Sequence, residues 1–293
     1  MTAGWTKTGI AALALAAAGM APCARAQAAA IPSAQTPVAD DAQHGRALLT
    51  QMVAALGGDA WLSRRNWDET GNFGHFFHGS PGELGLRFEE YHSTQPEATR
   101  TVVVTHSASP LAEVLGVPVG RDHRDVVEIF TGGQGYEITY KGKRALPADI
   151  VAEFERQRAH TIAAVVTRWL KQPGVMVVYE GPQIIDREPA DRVTVINSAN
   201  DTVTLDISQQ THLPVAREFR YRDPQFDDFD TDRETYGNYQ LRDGIQTPFN
   251  VSRYKNGELV AQRFLLTVKY NQPLSPALFD PDAPLDAKPP KHE

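Results

Sequence analysis

The sequence predicts a mainly β protein: one large, curved antiparallel sheet with a long helix over its concave face. Three observations carry this. From Asn66 to Tyr270 most segments alternate apolar and polar side chains, as strands do when one face is buried and the other wet. Short Gly-, Asn- and Asp-rich turns join them, with Asn256-Gly257 the strongest hairpin signal. Only one long stretch, residues 145–174, keeps a helical period against roughly a dozen strands.

Taken in order, Leu48, Leu49, Met52, Val53 and Leu56 recur at helical spacing from a start at Asp41 or His44, and Gly57-Gly58 supplies the stop. Asp59 then opens a short turn carrying Trp61 and Leu62. Three long strands follow from Asn66, then a less regular connection over residues 111–123, then a hairpin around Thr131-Gly132-Gly133-Gln134. That glycine loop lacks the Lys-Ser/Thr pair of a phosphate loop. The long helix begins near Pro147 and ends at Pro173-Gly174, with Ile150, Val151, Phe154, Ile162, Val165, Val166, Trp169 and Leu170 on its apolar side. The remainder is strand after strand. Val203, Leu205 and Ile207 share one face. Val260, Phe264, Leu266, Val268 and Tyr270 are expected to share another, interrupted by Gln262.

The ends read differently. Lys7, the apolar run Ile10–Ala21 and Ala24-Arg25-Ala26 form a secretory signal peptide with cleavage after Ala26. The run is too short to span a bilayer, which takes roughly 20 residues. The alternative is a lipid anchor at Cys23, which Pro22 beside the cleaved bond disfavours. An exported, periplasmic location follows, with no disulfide, since Cys23 is the one cysteine. The expected division is a signal peptide over 1–26, an Ala/Pro/Gln-rich linker over 27–41, a single β domain over 42–281 and a flexible tail over 282–293. The net charge of −7 becomes more negative by two once Lys7 and Arg25 are removed. That excludes a phosphate-binding surface for nucleic acid and electrostatic docking on anionic headgroups. No later run is long enough for a transmembrane segment.

A sheet of this size must curl, and its apolar face needs a cover. Ten strands span roughly 48 Å and one helix covers roughly 10 Å. The remainder is left for large side chains, a partner or an apolar ligand.

The order of elements, with "VTLDISQQTHLPVAREF" and then "YQLRDGIQTPFNV", resembles the outer-membrane lipoprotein-sorting (LolA-like) superfamily, which includes LolB-type receptors and RseB-type sensors. Val203, Leu205, Ile207, Thr211, Leu213, Pro214 and Val215 carry the strand–turn–Leu-Pro–strand pattern, and Asp243-Gly244-Ile245 with Pro248 the later step. The resemblance covers most of residues 44–281. It implies a half-open β-barrel with helices over the concave face and a cavity for acyl chains.

Candidate chemistry is sparse. His75 and His78, three apart on a strand, point to opposite faces and cannot chelate together. Asp228, Asp230 and Asp232 alternate as in a calcium loop, but Arg233 and Tyr239 stand where that loop needs Gly and Glu. Glu89, Glu90 and His92 can be drawn as an acid–base group, and Ser80 as a nucleophile, without spacing that supports either. No catalytic set, metal site or cofactor is therefore expected. Ile150, Phe154, Ile162, Val165, Val166 and Trp169 are expected to line a cavity under the long helix, although plain core would place them there too. Arg156, Arg158 and Arg168 are candidates for meeting an acidic envelope partner at its mouth. The expected function is non-enzymatic binding of a lipid, acyl chain or other apolar ligand, in lipid or lipoprotein handling. The alternatives are an envelope interaction or sensor module with a filled core and, behind it, a hydrolase of unrecognised type.

Overall fold

A computed structural model describes residues 39–82, 84–104, 126–223 and 228–283. The signal peptide with Cys23 and Ala26, linker residues 27–38, the 111–123 connection and residues 284–293 lie outside the described residues. Among those described, no helix is long and apolar enough to cross a membrane.

Helix α1 (Ala39–Leu56) and the short α2 (Asp59–Leu62) precede the strands. The expected linker thus gives way to helix at Ala39. In chain order the strands are β1 (Asn66–Phe77), β2 (Ser80–Pro81), β3 (Leu86–Thr94), β4 (Glu97–Val104), β5 (Val126–Thr131), β6 (Gln134–Thr139) and β7 (Gly142–Ala145). After two helices come β8 (Met176–Ile185), β9 (Glu188–Ile196), β10 (Thr202–Ser208), β11 (Pro214–Arg222), β12 (Phe229–Arg242), β13 (Ile245–Lys255) and β14 (Glu258–Tyr270). All pair antiparallel in the order 7-6-5-4-3-1-14-13-12-11-10-9-8, with β2 folded onto β1. Two meanders are joined at the β1–β14 seam. The sheet does not close, and β7 and β8 are its ends.

Those ends are consecutive in sequence, so residues 146–175 must travel the width of the sheet. They do so as α3 (Ala148–Ala159), α4 (Ile162–Thr167) and a 3-10 turn (Trp169–Lys171). The single long helix expected from periodicity is broken at His160-Thr161. Thr161 is extended (φ −65°, ψ 155°), and its Oγ1 accepts from the Ala164 N–H at 3.1 Å, an N-cap that restarts the helix. The His160 ring bonds back to the Arg156 carbonyl at 2.7 Å.

Pairing register shows which side chains share a face with these helices. Tyr179, Val193, Leu205, Arg217, Glu234 and Arg253 lie opposite one another across β8 to β13. The row is apolar or aromatic over β8–β10 and charged from β11 onward. The apolar half is the main core. Leu48, Leu49, Met52 and Leu56 of α1, with Val165 and Trp169, pack on Val177, Val193, Val195, Val203, Leu205 and Ile207. A smaller cluster, Val127, Ile129 and Ile138, lies on the opposite face. A C-terminal 3-10 turn (Pro276–Phe279) packs there: Leu278 is fully buried, and its carbonyl accepts from Arg100 Nη1 at 3.2 Å.

The shared face expected for β14 is split. A bulge opposite Thr70/Gly71 shifts the register by one residue, and such a shift exchanges faces. Val268 is 4% exposed on the helix-bearing face, whereas Phe264 (45%) and Leu266 (56%) remain in solvent. The greasy β-surface is therefore smaller than the alternation suggests. Gly71 is required at this seam, because a Cβ there would stand 2.3 Å from the Phe264 carbonyl oxygen.

Candidate functional site

The helix-bearing face offers two different environments. Over its apolar half, α1 and α4 do not meet completely. A cleft of about 360 Å³ separates them, lined by Leu49, Val53, Val166 and Leu170, with Arg46 and Thr50 at its rim. Arg46, Leu49, Thr50 and Val53 follow the helical i, i+3, i+4, i+7 spacing, so one stripe of α1 forms one wall. Of Ile150, Phe154, Ile162, Val165, Val166 and Trp169, expected to line a cavity, Val166 alone lines this cleft. Val165 and Trp169 are core, Ile162 and Val166 pack half-buried against them, and Val166 reaches the cleft. Phe154 and Ile150 lie elsewhere. Phe154 stacks on Phe130 of β5 with ring centroids 3.7 Å apart, and Ile150 is 43% exposed. The α1 wall was not foreseen. Its stripe is plain in the sequence, but nothing there says which helix faces it across more than a hundred residues.

The other half, under α3, is charged. Arg217 is 1% exposed and bonds Glu234 at 3.1 Å, the His160 carbonyl at 2.9 Å and the Gln157 side chain at 3.3 Å. Arg253 bridges Asp232 of β12 and Glu153 of α3, each at 2.7 Å. Gln157 donates to Asp232 at 2.6 Å. No residue of α3 is fully buried, so polar contacts and the Phe154–Phe130 stack hold this helix down. Arg158 pairs with Glu155, and Arg158 (3.6 Å) and Arg168 (3.3 Å) converge on Glu97. Arg156 instead lies over the Tyr221 ring, 4.1 Å from its centroid. The three arginines proposed for a partner are thus two that share an acid and one that stacks.

Farther along this face, Glu69 and Glu90 stand directly opposite each other on β1 and β3, an unfavourable like-charge pair. Arg263 of β14 lies between them, 2.6 Å from Glu69 and bonded to Glu90. His92 Nε2 is 3.4 Å from Glu90, and the ring stacks on Trp67 at 4.3 Å. Burial pushes Glu69 up to about 7; Arg263 opposes the shift and Glu90 adds to it. Burial acts upward on Glu90 too, but Arg263 and His92 outweigh it and hold that carboxyl below its ordinary value. Burial lowers His92 to about 4 despite Glu90. The acid–base grouping drawn from sequence is thereby redrawn: Glu90 and His92 join Glu69, while Glu89 is on the opposite face bonded by the Tyr91 hydroxyl at 3.2 Å. Ser80 is exposed on β2. Ligand atoms of Glu69, Glu90 and His92 lie within 4.8 Å of one another, a spacing a metal ion accepts. The Arg263 guanidinium, however, already supplies the positive charge between the carboxylates.

No family model and no curated protein matches the chain. Solved structures do. A DUF1329 family protein from Desulfovibrio piger ATCC 29098 superposes with a TM-score of 0.53 at 11% identity, covering 82% of this chain and 97% of the other. A putative outer membrane lipoprotein-sorting protein domain from Vibrio parahaemolyticus gives 0.50 at 8% identity, with the same coverage of each chain. The chain shares the fold of these two proteins. A LolA superfamily protein from Nitrosomonas europaea superposes less closely, at 0.46 and 11% identity over 78% of this chain and 94% of that one. At these identities the likeness is one of fold alone. The helix-bearing face divides into an apolar half, packed under α1 and α4, and an ion-paired half under α3.

Proposed function

We propose that this is a non-enzymatic binding protein of the cell envelope that takes an apolar chain, such as the acyl chain of a lipid or lipoprotein, between α1 and α4. The observation that carries the reading is the cleft lined by Leu49, Val53, Val166 and Leu170 over the apolar half of the sheet. Its volume of about 360 Å³ falls at the small end of ligand sites. Each methylene moved from water into it contributes about 0.8 kcal/mol, so micromolar affinity takes about ten buried methylenes or more. The N-terminal signal pattern supports export to the periplasm.

The ion-paired half favours a second reading, an envelope interaction or sensor module whose interior is filled. Titration with dodecanoate separates the two. The protein is expected to bind the chain, and Val166→Trp, which places an indole in the cleft, to weaken binding at least tenfold without loss of fold. Saturable binding untouched by Val166→Trp contradicts the cleft as the site. No binding leaves the filled-core module.

A further inference from the structure

We infer that the cleft selects an anionic amphiphile, with Arg46 reading the head group; this rests on the acyl-chain reading above. Arg46 stands one turn of α1 before Leu49 and Thr50, at the rim where a chain lying along the apolar wall would end. Its guanidinium is exposed and makes no ion pair among the described residues. Its one side-chain bond there is a long one, 3.4 Å, to the Val175 carbonyl just before β8. Thr50 does not compete for a head group, because its hydroxyl donates to the Arg46 carbonyl at 2.9 Å.

The contrast with the charged half sharpens the point. Arg217, Arg253 and Arg263 each face carboxylates and have no charge to spare. Arg46 does. A guanidinium presents a planar fork of donors that matches a carboxylate or phosphate oxygen pair. Placed beside apolar side chains, it bonds an anion more strongly than the hydroxyl of an alcohol of equal chain length. Free fatty acids and phosphate-headed lipids share this chemistry. The exposure of Arg46 keeps the gain moderate, about tenfold.

The test is a set of titrations at pH 8 with dodecanoate, dodecanol, dodecyl phosphate and dodecyltrimethylammonium, on the wild-type chain and on Arg46→Gln. Wild type is expected to bind both anions about tenfold more tightly than dodecanol, and the ammonium most weakly. Arg46→Gln should abolish the preference, with the anions binding no more tightly than dodecanol does to the same variant. A marked preference of wild type for phosphate over carboxylate assigns the head to a phospholipid, and equal affinity to either source. If all four bind wild type alike, or the anion preference survives Arg46→Gln, head-group selection is overturned while the cleft stands. If none binds, the acyl-chain reading falls, and the inference with it.

Discussion

Replacing Arg217 with Ala is expected to destabilise the protein by about 3–5 kcal/mol, because it leaves a partly buried carboxylate and a backbone carbonyl without their cation. The side chain is 1% exposed and joins Glu234 of β12 to the His160 carbonyl between α3 and α4. Its loss removes a cross-strand pair and the main polar tie of the helical crossover in one step. Urea unfolding measures the first effect, and amide exchange over residues 148–162 the second, with protection there expected to fall more than in β9 or β10. A paired change, Arg217→Met with Glu234→Leu, should recover most of the loss, since two apolar side chains of similar volume leave no orphaned charge. A loss below about 1 kcal/mol for Arg217→Ala contradicts a structural role for this pair.

Glu69→Gln tests the charge cluster at the seam through its pH dependence. In the unfolded chain Glu69 releases its proton near 4.5, whereas in the folded protein it holds the proton to about 7. The folded state binds more protons between these values, so the contribution of Glu69 to stability falls as pH rises from 4.5 to 7 and is flat above. His92 runs the other way. Its ordinary value is 6.5 and its folded value about 4, so its contribution falls as pH drops from 6.5 to 4. In the wild type the two slopes oppose each other between 4.5 and 6.5. The Glu69→Gln variant keeps His92, and the difference between the two proteins therefore reports the titration of Glu69 together with its coupled neighbour Glu90. Unfolding free energies from pH 4 to 8 should show wild type losing on the order of 3 kcal/mol relative to the variant, all of it before about pH 7. A difference that does not change with pH means that Glu69 holds its proton no more tightly folded than unfolded, Arg263 having offset the burial.

Much of the fold was legible because strand periodicity is a local property. The runs at Val203–Ile207 and Asn66–Phe77, the hairpin at Asn256-Gly257 and the stop at Gly57-Gly58 each declare themselves within a few residues. What stayed hidden depends on partners distant in sequence. The bulge opposite Gly71 moves Phe264 to the other face, and no pattern within β14 announces it. The short, fully exposed β7 has too little apolar character to register as a strand. Nothing local marks Glu69, Glu90, Asp232, Glu234, Arg253 and Arg263 as inward charges, since each is tolerable inside only through a partner on another strand. Thr161 broke the long helix through a single side-chain bond. The same reasoning explains the candidate site. Val166 belongs to a stripe visible in its own segment, whereas the opposing wall from Leu49 to Val53 required the chain to fold before it could be paired with it.

On the proposed reading a chain enters between α1 and α4 and nowhere else on the helix-bearing face. Crystals of the protein grown with 12-bromododecanoate test this most directly, because the bromine can be located by its anomalous scattering. One bromine position is expected, within van der Waals reach of Leu49, Val53, Val166 or Leu170. Bromine over the charged half beside Arg253 and Arg263, or on the opposite face near Phe264, would contradict it.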